Sequence, residues 1–270
     1  MDVGRRTLLR AVAAGCLGAL AAPAEAVQAA DGREPRTIYV VGDSTAMSYA
    51  VTEVPRAGWG QALPVFLNHK TLVVNEAVSA SSSKSFSAAG RLNRILAVLR
   101  PRDVLLISFG HGDQSENPSR HTDPWTTFQD YLQLYIDGAR ATRAVPVLVT
   151  PVERRRFTTD GVPYLSHGEY PDAVRALAAA TRTPLIDLSA LSFALWSSLG
   201  PEVTKDYFLW LDSGTADDTH LQARGAIEVA RLVASAGWML PGRDRRALRE
   251  PDLSADLLVR PATRPGPDPL

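Results

Sequence analysis

Five short runs of apolar residues, separated by segments with helical spacing, constrain the fold of this 270-residue chain more than any other feature. Each run is rich in Val, Ile or Leu and is bounded by Gly, Pro, Asp or Asn, which is typical of strands buried in a parallel sheet. Strands that alternate with helices at intervals of about 30 to 40 residues predict an α/β fold. The runs are 37–41, 72–75, 104–109, 145–150 and 185–188.

The intervening segments complete a three-layer α/β/α sandwich around a five-stranded parallel sheet, with the flavodoxin-like strand order 2-1-3-4-5. In such sheets the catalytic residues lie on loops at the carboxyl ends of the strands, so we expect the functional site at that edge. The predicted helices are 60–68, 90–99, 126–141, 170–180, 191–198 and 223–237.

The two ends of the chain differ from this pattern. Residues 1–26 have the features of an export signal, because an Arg5-Arg6 pair precedes a small apolar run and an Ala-Glu-Ala cleavage sequence. Paired arginines favour the twin-arginine route and therefore a secreted or extracytoplasmic protein. A lipoprotein signal ending at Cys16 is the alternative. About a dozen apolar residues are too few to span a bilayer, so we expect no stable membrane insertion.

The predicted domain covers residues 36–242, and residues 243–270 are rich in Arg, Asp and Pro, which predicts a disordered tail.

The chain has 29 basic and 29 acidic residues, and this balance argues against a nucleic-acid partner. A single Cys excludes a disulfide scaffold and a Cys-rich zinc site. His111 and Asp113 form a closely spaced pair of metal-ligand type, but no third ligand follows at ligand spacing, so we expect no metal and no cofactor. We expect a monomer.

Ser44 is the candidate nucleophile. It follows the first predicted strand in the sequence Gly-Asp-Ser-Thr, and we expect it to enter a helix. The N-terminus of such a helix favours a developing negative charge. The alternative is that Ser44 or Thr45 only caps that helix.

His220 is the candidate general base, because Asp217 precedes it by three residues and can accept its Nδ1 proton on a tight turn. Nε2 is then free to take the proton of Ser44. The alternative is a helix-capping box, in which Thr219 caps the last helix and Gln222 completes the box.

The loops after the second and third strands lie beside the Ser44 loop in the predicted sheet. They cover residues 75–86 and 109–113, which are rich in small residues. Small residues let backbone N–H groups approach a substrate, so these loops predict an oxyanion hole. Ser-rich stretches of this kind are also typical of ordinary flexible loops.

These blocks, in this order, resemble the GDSL or SGNH hydrolase superfamily and its rhamnogalacturonan acetylesterase-like branch. The resemblance extends from about residue 36 to about residue 240. It implies an SGNH hydrolase fold with Ser44 as nucleophile, His220 as general base and acid, and Asp217 as the residue that orients His220. Further segments that carry the resemblance are 58–61, 75–86, 109–111, 150–157, 167–175 and 217–221.

The resemblance also implies where the oxyanion donors lie. The family has a glycine N–H on its second block, and Ala80 occupies that position here. The family pattern Gly-His-Asn-Asp has a donating Asn side chain, and Gly112 replaces it. The oxyanion hole therefore consists of Ser44, Ala80 and Gly112. Losing one donor can lower turnover by about 10²–10³-fold, so we expect Gly112→Asn to raise it.

The implied activity is removal of acetyl groups from a plant cell-wall polysaccharide, such as rhamnogalacturonan, through an acyl-enzyme. The partner is then an acetylated polysaccharide or oligosaccharide. The alternatives are a catalytically weak or silent glycan-binding protein and an esterase or acyltransferase with another acyl substrate. Candidate sugar or uronate contacts are Trp59, His111 and the run Arg154, Arg155 and Arg156.

Overall fold

The computed structural model describes residues 36–237, Leu240 and Arg243, and its centre is a five-stranded parallel sheet. The strand order is β2-β1-β3-β4-β5, which confirms the predicted order and the α/β fold class. The predicted bounds of all five strands agree with the structure to within two residues. The strands are β1 (Thr37–Gly42), β2 (Leu72–Asn75), β3 (Val104–Ser108), β4 (Val145–Val149) and β5 (Leu185–Ile186).

Burial on both faces explains why these runs are continuously apolar. Every residue of β3 is buried, since the strand lies between β1 and β4 with helices above and below it. The parallel register pairs Gly42 at the end of β1 with Ser108 at the end of β3. The loops that follow these two strands are therefore neighbours at the carboxyl edge of the sheet.

Two apolar clusters, one on each face of the sheet, hold the helical layers. The first contains residues of α1, α6 and α7, and the second contains residues of α2 to α5. The sandwich therefore has three layers. The helices are α1 (Trp59–Ala62), α2 (Ser83–Ala88), α3 (Arg91–Leu96), α4 (Gln129–Ala141), α5 (Tyr170–Thr181), α6 (Leu188–Val203) and α7 (Ala223–Ala236).

Helix α2 begins within the Ser-rich segment 75–86, whose composition is typical of a flexible loop. Ser82 caps the helix: its hydroxyl accepts from the Ser85 amide at 3.0 Å, and the Ser85 hydroxyl accepts from the Ser82 amide at 2.9 Å. This reciprocal pair satisfies two N–H groups that a helix start leaves free. The serines of this stretch therefore begin a helix.

An antiparallel hairpin formed by β6 (Phe208–Trp210) and β7 (Ala216–Leu221) precedes the last helix. The sequence analysis did not predict it. Helix α7 begins after Gln222, which is its N-cap residue and makes no side-chain cap hydrogen bond. The capping box at Thr219 and Gln222 is therefore wrong, because Thr219 belongs to β7.

The predicted signal at 1–26 lies outside the described residues, and so does the predicted tail beyond Arg243. Arg243 itself forms a β-bridge with Leu67 and donates to the carbonyl groups of Ala234 and Ser235 at the end of α7. The first residue assigned to the tail is therefore part of the packed domain. None of the helices described combines the length and apolar character needed to cross a membrane.

Candidate active site

Ser44 lies in a tight turn that directly follows β1. The amides of Ala46 and Met47 donate to the Asp43 carbonyl, at 3.2 and 3.1 Å, and close this turn. The next helical residues are the 3₁₀ turn Val51–Glu53. The expected helix at Ser44 is therefore absent from the described fold. The predictions that its dipole favours negative charge, and that Ser44 or Thr45 caps it, are both wrong.

The structure brings Ser44, His220 and Asp217 into one hydrogen-bonded chain. Ser44 Oγ lies 3.0 Å from His220 Nε2, across 176 residues of sequence, and His220 Nδ1 lies 2.7 Å from Asp217 Oδ2. With the Nδ1 proton donated to the carboxylate, Nε2 can accept the Ser44 proton. Asp217 Oδ1 also accepts from the amides of Thr219 and His220, at 2.8 and 3.0 Å, which fixes the carboxylate in place.

The electrostatics of Asp217 favour this arrangement. Partial burial by itself would raise the pKa of the Asp217 carboxyl, but hydrogen bonds from the His220 ring and from the amides of His220 and Thr219 outweigh it. They hold its pKa well below its usual range. Asp217 therefore stays ionised and can stabilise a protonated His220.

Asp218, the next residue, anchors β7 to the loop after β4. Its side chain accepts from Arg155 Nη1 at 3.0 Å and from Trp210 Nε1 at 2.9 Å, and its carbonyl accepts from the Arg155 amide at 2.8 Å. The Arg155 guanidinium also stacks 4.5 Å from the centre of the Trp210 ring. No pattern in the sequence indicated these contacts, because Arg155 lies 63 residues from Asp218, and Trp210 meets Asp218 only through the pairing of β6 with β7.

The loop after β2 docks on both neighbouring loops. The Val78 amide donates to the Gly42 carbonyl at 3.0 Å, and Asp113 accepts from the amide and hydroxyl of Ser83 at 3.1 and 2.6 Å. Thr122 Oγ1 donates to the same carboxylate at 3.0 Å. Burial raises the pKa of Asp113 to about 6, although these hydrogen bonds oppose the shift. Asp113 therefore holds two loops together, which its sequence position beside His111 did not indicate.

The amide N–H groups of Ser44, Ala80 and Gly112 donate to no other residue in the part of the chain that the structure describes. Ala80 has a left-handed backbone with φ of 57°. Gly112 packs so closely that an added Cβ would lie 2.0 Å from the Ser81 carbonyl oxygen. Three free donors on adjacent loops have the chemistry of an oxyanion hole. The backbone of Ser81 occupies the space for a side chain at position 112, so the structure removes the basis for the expectation that Gly112→Asn raises turnover.

The two expected substrate contacts differ in position. Trp59 is fully buried in the first apolar cluster, so its expected contact with substrate is wrong. The His111 side chain is 8% exposed, and its Nδ1 lies 3.3 Å from Asp43 Oδ2 without a well-aligned hydrogen bond. His111 Nε2 has no partner among the described residues. His111 therefore lies directly beside the turn that carries Ser44.

His, Cys, Asp and Glu side chains do not cluster in groups of three or more that could hold a metal ion, within the described ranges. The hydrogen-bonded groups at this edge of the sheet are a serine hydroxyl, an imidazole and a carboxylate. These groups can form and hydrolyse an acyl ester.

Known proteins share this fold and much of this sequence. The model of the GDSL-like lipase/acylhydrolase family matches residues 40–226. Rhamnogalacturonan acetylesterase RhgT of Bacillus subtilis (strain 168) is 40% identical over 228 residues, which cover 81% of this chain and 97% of RhgT. The probable rhamnogalacturonan acetylesterase YesY of the same strain is 41% identical over 198 residues, or 73% of this chain and 90% of YesY.

A solved structure supports the same assignment. The crystal structure of YxiM from Bacillus subtilis has a TM-score of 0.66 and 32% sequence identity, and the match covers 75% of this chain and 56% of the YxiM chain. The segment matched by the family model contains Ser44, Asp217 and His220. The resemblance described from the sequence is thus confirmed: this chain belongs to the GDSL-like lipase/acylhydrolase family of carboxylic ester hydrolases.

Proposed function

We propose that this protein is a carbohydrate acetylesterase that removes acetyl groups from rhamnogalacturonan through a Ser-His-Asp acyl-enzyme mechanism. The observation that carries the proposal is the chain of hydrogen bonds from Ser44 through His220 to Asp217, at 3.0 and 2.7 Å. The substrate is inferred from RhgT and YesY, whose names state this activity and which match most of the chain.

In the proposed mechanism Ser44 Oγ attacks the acetyl carbonyl while its proton passes to His220 Nε2. Asp217 stabilises the imidazolium that forms. His220 then gives this proton to the departing sugar hydroxyl, and the acetyl group stays on Ser44 as an ester. Water attacks the ester, with His220 again accepting a proton, and acetate leaves as Ser44 Oγ recovers its hydrogen.

The negative oxygen of the tetrahedral intermediate is held by backbone donors. The free amides of Ser44, Ala80 and Gly112 supply up to three hydrogen bonds, so no Asn side chain is needed at position 112. Backbone donors are rigid and need little reorganisation during the reaction. We assign His111 to the wall of the site beside Ser44, where the ring can pack against the substrate through its small exposed part, since both of its ring nitrogens are buried.

We further propose that the protein acts outside the cytoplasm, as a monomer, after export by the twin-arginine route and removal of residues 1–26. The paired Arg5-Arg6 and the Ala-rich run that follows support this proposal. An acetylated cell-wall polymer is an extracellular substrate, which agrees with export. N-terminal sequencing of the protein recovered from culture medium tests it: a terminus near Val27 supports export, and an intact Met1 in the cytoplasm contradicts it.

Acetate release from polysaccharides tests the proposed activity. Wild-type protein and Ser44→Ala are incubated with acetylated rhamnogalacturonan and with acetylated xylan, and acetate is measured over time. We expect release from rhamnogalacturonan by the wild type and none by Ser44→Ala. Acetate release from xylan alone would contradict the substrate assignment. Binding of rhamnogalacturonan with no acetate release would identify a glycan-binding protein instead.

A further inference from the structure

Arg154 differs from the two arginines that follow it. Arg155 and Arg156 both pair with Asp218, at 3.0 and 3.4 Å. Arg154 has no carboxylate within ion-pair distance in the described part of the chain. The run that looks uniform in sequence therefore contains two arginines with a structural partner and one cation without a counter-ion.

The guanidinium of Arg154 is nevertheless held in place. Its Nη1 donates to Gln114 Oε1 at 2.9 Å and to the Ser166 carbonyl at 3.0 Å, and it lies 3.2 Å from His167 Nδ1. Its Nε and Nη2 have no hydrogen-bond acceptor among the described residues. One nitrogen is thus anchored, while the edge formed by Nε and Nη2 remains available. That edge matches the two oxygens of a carboxylate.

The groups that contact the Arg154 guanidinium are neutral, and the carboxylates of Asp43 and Glu153 act on its charge only from beyond ion-pair distance. His167 Nε2 donates to the Val152 carbonyl at 2.8 Å, so Nδ1 is the unprotonated nitrogen that faces Arg154. Burial, together with the charges of His111 and Arg154, lowers the pKa of His167 well below its usual value, and His167 stays neutral. A half-buried guanidinium that lacks an anionic partner costs folding free energy, and an anionic ligand would offset that cost.

One ring contact and one contact between an imidazole and a carboxylate lie between this cation and the turn of Ser44. The ring of His167 packs 4.4 Å from that of His111, measured between centroids. His111 Nδ1 in turn lies 3.3 Å from Asp43 Oδ2, on the residue that precedes Ser44. An acyl group on Ser44 and an anion on Arg154 can therefore belong to one bound oligosaccharide.

We propose that Arg154 binds the carboxylate of a uronic acid unit, on the acetylated sugar or on its neighbour. This inference rests on the proposed function, because the polymer in the names of RhgT and YesY is a galacturonan and carries a carboxylate on each uronic acid unit. The bidentate contact selects acetylated polyuronates over neutral acetylated glycans and sets the position of the chain relative to Ser44.

Paired substrates that differ only in charge test this inference. Acetylated rhamnogalacturonan oligosaccharides are compared with the same material after methyl esterification of its carboxylates, and 4-nitrophenyl acetate normalises each rate. The variants are Arg154→Gln, which removes the charge, and Arg154→Lys, which keeps a positive charge but lacks the paired N–H donors of the guanidinium edge. Arg156→Gln is the control, because it removes the same charge from the same loop.

We expect the wild type to favour the free acid over its methyl ester by tenfold or more in kcat/KM, because hydrogen bonds between charged groups are stronger than those between neutral groups. The ratio of kcat/KM for the free acid to kcat/KM for the methyl ester should fall to about one in Arg154→Gln and be intermediate in Arg154→Lys. It should stay at the wild-type value in Arg156→Gln. The inference is overturned if Arg154→Gln keeps the wild-type preference, or if the wild type has none. A wild type that hydrolyses 4-nitrophenyl acetate but neither oligosaccharide overturns the proposed function, and this inference with it.

Discussion

Two small residues determine the backbone geometry of the proposed oxyanion hole. Ala80 has a left-handed conformation, and Gly112 packs directly on the backbone of Ser81. Ala80 adopts a backbone conformation in which glycine would be unstrained. Gly112 occupies a position in which any side chain would collide with Ser81. The two positions therefore predict opposite responses to substitution.

Substituting Ala80→Gly should increase stability. The left-handed region costs an alanine roughly 1–2 kcal/mol, and glycine avoids this cost but gains entropy in the unfolded chain. We expect the free energy of unfolding, measured by urea denaturation, to rise by up to about 1 kcal/mol. A decrease of about 1 kcal/mol or more would contradict the strained conformation.

Substituting Gly112→Ala should lower turnover. Its Cβ would lie 2.0 Å from the Ser81 oxygen, so the two loops must separate and the amides of Ala80 and Gly112 move apart. We expect kcat for 4-nitrophenyl acetate to fall about ten- to a hundredfold. Gly90→Ala is the control for backbone strain without a collision, because φ there is 69° and a Cβ meets nothing within 4 Å; it should lower stability but leave kcat unchanged. Turnover at or above the wild-type value in Gly112→Ala would show that this close packing does not matter.

The local sequence made Ser44, His220 and Asp217 candidates, because each lies next to a strand end or a local partner, and the family resemblance favoured them over helix capping. Trp59 and Arg155 could not be placed in the same way. An aromatic ring can belong to a core or to a sugar-binding surface, and an Arg can be solvated or buried against Asp218. Only tertiary contacts distinguish these alternatives.

At the scale of secondary structure, the hairpin of β6 and β7 carries His220 and Asp217, the proposed base and its orienting carboxylate, and Asp218 anchors this hairpin to the loop after β4. We expect Asp218→Asn to lower kcat for 4-nitrophenyl acetate about ten- to a hundredfold through misplacement of His220, with KM changed less than about twofold. Steady-state kinetics measures both. Asp206→Asn, which breaks an exposed pair with Arg224, is the matched control. Equal kcat values for Asp218→Asn and wild type would contradict the positioning role.

The loops joined by Asp113 should respond to pH. Its pKa rises from 3.8 to about 6 on folding, so the native state binds this proton more tightly than the unfolded chain does. The stabilisation that comes from protonated Asp113 is fully present below about pH 4 and is lost as pH rises to about 6. The free energy of unfolding falls by no more than about 1.4 kcal/mol per pH unit in this range. Urea unfolding of wild type and Asp113→Asn from pH 4 to 7 should show wild-type stability falling relative to the variant. Parallel curves would contradict the raised pKa.

The five strands could be predicted because burial on both faces demands continuous apolar runs, such as Val104–Ser108, where all five residues are buried. The hairpin could not. Strand β7 contains Asp217, Asp218, Thr219 and His220 in succession, a polar sequence without the alternation of a half-buried strand. Its pairing depends on contacts with the loop after β4, which no local pattern shows.

For the whole molecule, the order β2-β1-β3 explains how the candidate site forms. It places the loops of Ala80, Ser44 and Gly112 side by side, and α7 follows the hairpin that brings His220 to the same edge. The alternating pattern predicts a parallel sheet of this kind, for which 2-1-3-4-5 is one of the common strand orders. The close approach of Gly112 to Ser81 depends on atomic packing, so the sequence did not indicate it.

The central claim is that Ser44 is the nucleophile of an ester hydrolase. Its most direct test is the rate of 4-nitrophenyl acetate hydrolysis by the wild type and by Ser44→Ala, with circular dichroism confirming that both are folded. The account predicts that Ser44→Ala reduces kcat at least about 10³-fold, to near the uncatalysed background. Hydrolysis by Ser44→Ala at the wild-type rate would contradict it.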